Sequence, residues 1–366
     1  MKPSLLYQIG LTLVPGIGDV NGKKLVLRFG SAEAVFKAPA RDLLAIPGIG
    51  PAVVKNIQNQ KALIRAEQEI RFLEKHGIQP LFFQDDGFPQ RLLNCYDHPL
   101  LLYYKGKADL NHKRVIAFVG TRRATGYGRE QCRELIEGLR EKEVLVVSGL
   151  AYGIDGCAHR TSVEMEIPTV GVLGHGLDRI YPAPHRKLAE EMLQKGGGLL
   201  TEFLSKTNPD RENFPKRNRI VAGMADAVVV VESDKKGGAL ITAELANSYN
   251  RDVFAVPGRL SDRFSTGCNF LIKTNKAALV QSAGDIGDIM GWEDRKIPDG
   301  RQTSLFVELS DTEKTLYELL AEAGTLSIDK LTIQSGLAPS TVSAALLSLE
   351  FNGLVRSLPG KLYKVE

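Results

Sequence analysis

Between residues 113 and 290 the sequence alternates short apolar runs rich in β-branched residues with longer stretches of helical pattern. The runs fall at 115–119, 144–147, 169–173, 199–203, 228–231, 253–256 and 278–280. Strands joined through helices run parallel, bury both faces and connect by right-handed crossovers, so the pattern predicts an α/β chain with a doubly wound, mostly parallel sheet. Such sheets bind ligands outside the carboxyl ends of their strands, which directs attention to the loops after each run.

Those loops are rich in phosphate-seeking groups. Gly120-Thr121-Arg122-Arg123 follows the first run, Ser148-Gly149 ends the second, and Gly174-His175-Gly176 follows the third. Phe214-Pro215-Lys216-Arg217-Asn218-Arg219 opens a helical pattern ahead of the fifth run, and Gly237-Gly238, with Thr242 beyond them, opens another. Exposed amides, hydroxyls and guanidinium forks are what an anion cradle needs, and helix N-termini favour negative charge. The fingerprint of dinucleotide enzymes is missing: no Gly-x-Gly-x-x-Gly follows the first run, and the second ends in Ser148-Gly149 where a ribose-holding acid would stand. With no Walker-type lysine either, the loops read as phosphate binders without a cofactor.

Asp155 and His159 stand four apart on a predicted helix. They are either a general acid/base pair or half a metal site, or else a capping carboxylate and a hydrogen-bonded histidine. No second His or Cys lies at a ligand spacing, so no metal is expected. Cys95, Cys132, Cys157 and Cys268 form no Cys-x-x-Cys pair and read as small buried hydrophobes. No apolar run reaches the roughly 20 residues of a membrane span, and no signal-peptide core opens the chain, so a cytoplasmic protein without membrane contact is expected. Net charge is +4. It is uneven: 14 basic against 10 acidic residues in 1–112 and 18 against 14 in 113–219, but 5 against 7 in 310–366. An N-terminal positive excess suits a polyanion partner without demanding one.

Outside the alternating block the pattern changes. Val14-Pro15-Gly16-Ile17-Gly18 returns as Ile46-Pro47-Gly48-Ile49-Gly50, each copy between apolar helical stretches, the last expected over 52–64. This predicts tandem helix-hairpin-helix units in a helical domain over 1–75, which either contact DNA through hairpin amides or serve packing alone. Residues 76–112 read as an apolar adaptor, with strands at 80–83 and 100–104, packed on the next domain; the whole unit spans 76–290, its core 113–290. A polar linker is expected at 291–309, with a turn at Pro298-Asp299-Gly300. Three helices and a hairpin in 310–366 predict a winged helix, whose third helix has no Lys or Arg, so duplex reading is disfavoured.

Together, Gly120-Thr121-Arg122, Ser148-Gly149-x-Ala151-x-Gly153-Ile154-Asp155, Gly176-Leu177-Asp178-x-Ile180-Tyr181-Pro182, Phe214-x-x-Arg217-Asn218-Arg219-Ile220, Gly238-Ala239-Leu240-Ile241-Thr242-Ala243 and Pro257-Gly258 resemble the DprA/Smf family. The resemblance implies a Rossmann-like homodimer that binds and protects single-stranded DNA in natural transformation and loads RecA recombinase on it. Carried over by residue, the strand-binding groups are Gly120, Thr121, Arg122, Arg123, Ser148, Gly149, Phe214, Lys216, Arg217, Asn218, Arg219, Gly238 and Thr242. Phe214 would stack on a base. The dimer surface is placed on Phe270, Leu271 and Ile272; Thr274-Asn275-Lys276-Ala277 departs from the family's usual ending there. The run from Arg217-Asn218 through Gly237-Gly238 to Glu244 is also similar to LOG-type phosphoribohydrolases, but the Pro-Gly-Gly opening of that motif is replaced by Asp234-Lys235-Lys236-Gly237-Gly238. A non-catalytic strand binder is the expectation, a nucleoside monophosphate hydrolase the alternative, and a duplex-binding regulator the third.

Overall fold

The computed structural model describes residues 3–292 and 309–365. The expected linker and its Pro298 turn therefore fall mainly outside the described residues. Trp292 is an exception: it is buried in the core beside Met290 and Ile286, so the folded body extends into what the sequence marks as linker.

Nine strands make one sheet: β1 (Gln79–Phe82), β2 (Leu101–Gly106), β3 (Val115–Val119), β4 (Leu145–Gly149), β5 (Thr169–Val172), β6 (Gly198–Thr201), β7 (Ala227–Val230), β8 (Asp252–Ala255) and β9 (Ala278–Leu279). Their order is β1-β2-β6-β5-β4-β3-β7-β8-β9. From β6 to β9 every pairing is parallel; β1 and β2, the adaptor strands, join antiparallel beside β6. The adaptor is therefore part of the sheet itself. Every residue of β3, β4 and β7 is buried, as β-branched runs covered by helices on both faces should be. The chain runs from β3 to β6 in one direction, then returns past β3 to build β7, β8 and β9 on its other side. The reversal lies between β3 and β7. It is pinned at its far end by Arg91, whose guanidinium grips both carboxylate oxygens of Asp226 at 2.7 and 2.8 Å while Val115 N donates to Asp226 Oδ2 at 2.8 Å.

Six helices over 3–76 enclose a separate apolar core around Leu25, Val26, Val35, Leu43 and Ile57. The two glycine hairpins have nearly one backbone: Gly16 and Gly48 take φ +90° and +92°, a region open to glycine, and Gly18 and Gly50 then cap the helices Asp19–Phe29 and Pro51–Gln58. The single helix expected over 52–64 is instead two, because Gln60 takes φ +52° between Gln58 and Lys61.

At the C-terminus, helices Asp311–Ala323, Ile328–Ser335 and Pro339–Phe351 pack on a small sheet of β10 (Leu326–Ser327), β11 (Val355–Leu358) and β12 (Leu362–Val365), ordered β10-β12-β11. This is a winged helix, its hairpin turning at Pro359-Gly360 with Gly360 at φ +85°.

Candidate functional site

Helix Asn213–Met224 runs beneath the carboxyl ends of β4 and β5, and it divides its cations by direction. Successive residues point 100° apart around a helix, so one basic run cannot face one way. Lys216 is exposed, whereas Arg217 is 6% exposed and points inward. Arg217 Nη1 lies 3.8 Å from Asp155 Oδ2 over the backbone of Gly149, where any Cβ would overlap the guanidinium. Burial raises the pKa of Asp155 and lowers that of Arg217, so desolvation outweighs the attraction between them. Arg219 turns toward the helical domain. It pairs with Glu202, lies 3.1 Å from Asp19 Oδ2 and donates to the Asp97 carbonyl. Burial pushes the Glu202 carboxyl up to about 7. Asp19 also accepts from Leu100 N at 3.0 Å, and Lys23 Nζ donates to the carbonyls of Tyr96 and His98, both at 3.1 Å.

Four of the residues expected to contact a strand are thereby committed inside the protein. Ser148 is fully buried and donates to Phe118 O at 2.6 Å; Gly149 is covered by Arg217; Arg217 and Arg219 are held by carboxylates. Thr242 is a fifth: 2% exposed, it lies 3.4 Å from the Gly238 carbonyl of its own helix. Thr121 Oγ1 accepts from Arg123 N at 3.1 Å and shapes its loop, while Gly120 packs on Ile154. Asn218 is half-buried and Gly238 is exposed at the start of helix Gly238–Ser248.

What stays open is a small cluster. Arg122, exposed, lies over the Phe214 ring with 4.9 Å between guanidinium carbon and centroid, and Tyr181 stands 6.3 Å from the same ring. Phe214 is half-buried, its ring against Gly174 of the loop after β5. Tyr152 completes the rim beside Arg217, whose Nε finds no hydrogen-bond partner among the described residues. The void between these walls is about 30 Å³, room for about one water. Arg123, next to Arg122 in the loop, is exposed, and Lys216 is exposed on the side that lines a separate cavity with Glu202 and Arg219.

Sequence reasoning missed the aromatic rim of Tyr152 and Tyr181, and above all Glu232. At the crevice between β3 and β7, the Glu232 carboxylate accepts from Thr125 N at 2.9 Å and Thr125 Oγ1 at 2.5 Å, and its carbonyl accepts from Thr121 N at 2.7 Å. It is 2% exposed and lies against Gly128. It thus occupies the N-terminus of helix Gly126–Gly138, where a dinucleotide's phosphates would rest. An acid directly at a strand's end was the available signal.

His159 resolves the Asp155–His159 alternatives. Its Nε2 donates to Gly149 O at 2.6 Å and its Nδ1 lies 2.7 Å from Thr169 Oγ1, with burial lowering its pKa to about 4. It is a neutral, fully engaged core residue. Among the described residues no group of three or more His, Cys, Asp or Glu could hold a metal. Glu244, the acid of the hydrolase alternative, pairs with Lys276 at 2.6 Å, away from Arg217's partner. On helix Thr266–Lys273, Leu271 is 1% exposed and packs in the core, so it cannot belong to an outer surface; Phe270 is 48% exposed and Ile272 half-buried.

The DNA recombination-mediator protein A model matches residues 79–291, and the DprA winged helix domain model matches 305–361. This chain belongs to the DNA recombination-mediator protein A family. Relatives in that family include Protein Smf of Synechocystis sp., 33% identical over 98% of both chains, and the putative DNA processing protein DprA of Mycobacterium tuberculosis, 36% identical over 90% of this chain and 88% of the relative. The X-ray structure of DprA from Streptococcus pneumoniae has a TM-score of 0.63 at 31% identity, covering 77% of this chain and 96% of that one. DprA from Helicobacter pylori, whose structure is described for its single-stranded DNA binding mode, has a TM-score of 0.53 at 28% identity over 58% of this chain and 94% of that one.

Proposed function

We propose that this chain binds single-stranded DNA at the carboxyl edge of its sheet, protects it in the cytoplasm during DNA uptake by natural transformation, and loads RecA recombinase on it. The observation that carries the reading is the open cluster of Arg122 over Phe214, with Tyr181 beside it and the exposed Arg123 next to Arg122 in the chain. Aromatic faces stack on any base and free cations follow the backbone, which is the combination a sequence-tolerant strand binder needs. The solved relative from Helicobacter pylori, with its single-stranded DNA binding mode, supports the same reading. The protein acts without catalysis in this proposal: Arg217 and Glu244, the residues the hydrolase alternative would need, face Asp155 and Lys276. A homodimer through the exposed Phe270 and the neighbouring Ile272 would join two such edges and raise apparent affinity.

The test is fluorescence anisotropy with a labelled oligothymidine against a duplex of equal length, across a salt series. Binding should prefer the single strand, with log K falling by about 0.7 per neutralised phosphate against log salt. Equal or stronger binding to the duplex would overturn the proposal.

A further inference from the structure

Beyond the aromatic cluster lies the cavity that Lys216 lines with Glu202 and Arg219. Its volume is about 630 Å³, within the roughly 300–1,000 Å³ of small-molecule sites. Three pieces of chain meet there: the first glycine hairpin, the adaptor around Leu100, and the loop after β6. Leu100, Leu101, Phe203 and Leu204 supply apolar walls. Gly18 to Asn21 line the cavity with the N-terminus of helix Asp19–Phe29, which Gly18 caps without a side chain, so the first-turn N–H groups lack an intrahelical partner. Asn56 Nδ2 donates to Pro15 O at 3.1 Å and ties this hairpin to the second. Three carboxylates also line the cavity, and each is already engaged: Asp19 by Leu100 N and Arg219, Glu202 by Arg219, and Asp97 by the Tyr249 hydroxyl at 2.7 Å. The wall continues into the aromatic cluster. Thr207, which lines the cavity, accepts from Gly176 N at 3.3 Å, and Gly174, two residues earlier, packs on the Phe214 ring.

We propose that this cavity holds a further nucleotide of the strand that rests on Phe214. Its base and sugar lie against Leu100, Leu101 and Phe203, and its phosphate lies between Lys216 and the N-terminal amides of helix Asp19–Phe29. The inference rests on the strand-binding reading above and extends it to the helical domain. Apolar and aromatic walls suit the faces of a base, while an uncapped helix N-terminus and an exposed ammonium suit a phosphate. A nucleotide uses both kinds of wall at once, whereas a purely apolar or purely anionic ligand leaves one of them idle. Lys216 lies on the same helix as Phe214, and the Gly174–Gly176 loop joins the two places, so one strand following the carboxyl edge of the sheet reaches both. The two hairpins, alike in backbone, thereby divide their roles: the first lines the cavity and touches the strand, and the second, outside it, serves packing.

The experiment uses the full chain with an oligothymidine carrying 5-iodouracil at one position at a time, irradiated and mapped by mass spectrometry. One set of positions should cross-link to Phe214 or Tyr181, and a second set to Phe203 or to residues 17–21. Val20→Trp, which fills the cavity from an exposed helix position, should abolish the second set and keep the first. It should weaken strand binding roughly tenfold, the weight of one base contact. Ala52→Trp, at the same place in the second hairpin and also exposed, should change neither the cross-links nor the affinity. Cross-links confined to Phe214 and Tyr181 in the native chain, or Val20→Trp binding as tightly as Ala52→Trp, overturn this inference and leave strand binding at the aromatic cluster standing. Absence of any strand binding overturns both. The native-chain mapping decides the matter even where a variant folds poorly.

Discussion

The carboxyl edge of the sheet holds two sets of cations. Arg217 and Arg219 sit in the folded interior, facing Asp155 in one case and Glu202 with Asp19 in the other. Arg122, in the loop after β3, and Lys216, beside Arg217 on the helix, are exposed, and Arg122 lies over the Phe214 ring. The same chemical group serves as internal brace in one set and as free contact in the other. On the helix, direction rather than sequence distance separates exposed Lys216 from buried Arg217.

Substitutions should divide along that line. Arg217→Met should have the largest effect: it leaves the Asp155 carboxylate buried without its counter-charge, a loss of about 3–5 kcal/mol in denaturant unfolding. Adding Asp155→Leu should recover part of that loss, and a double change no more stable than Arg217→Met alone would break the brace assignment. Acid should act through His159 next. Its folded pKa is about 4 and an unfolded histidine titrates near 6.5, so the unfolded chain takes the proton first. Its share of stability is full above about pH 6.5 and drains away as pH falls toward 4, by roughly 3 kcal/mol. His159→Gln should flatten the unfolding profile in that window.

Arg219→Met should cost about 2–3 kcal/mol, less than Arg217 because Asp19 keeps some water. It should also raise amide exchange in helix Asp19–Phe29 before it alters the sheet. Phe214→Ala should leave unfolding little changed while weakening oligothymidine binding by about 1–3 kcal/mol. The smallest effect on stability belongs to Arg122→Ala with Lys216→Ala, within about 0.5 kcal/mol. There the salt slope of strand binding should fall by about 1.4. A double alanine change at Arg217 and Arg219, by contrast, would report on folding and could not be read as lost strand contact.

The parallel strands, the paired hairpins and the winged helix were legible because each rests on a local period or a glycine requirement. The adaptor's strands were legible too, but not their place in the sheet, since antiparallel pairing of β2 with β6 joins residues almost a hundred positions apart. The division of the basic run was hidden for the same reason: Arg219's partners are Asp19 and Glu202, and nothing near 219 announces them. Leu271 was misplaced because three adjacent apolar residues on a helix cannot all share one face. Ser148 was misjudged because a hydroxyl at a strand's end reads alike whether it meets a ligand or the carbonyl of Phe118 on the neighbouring strand.

Glu232 carries a consequence for life among metabolites. Cells are full of free nucleotides, and a helix N-terminus behind a first β-strand is a place such anions lodge. Here the chain brings its own carboxylate, tethered and already bonded to Thr125, so any diffusing phosphate must displace a rival that never leaves. The chain thus carries its own anion at that helix N-terminus, held in place by the fold itself.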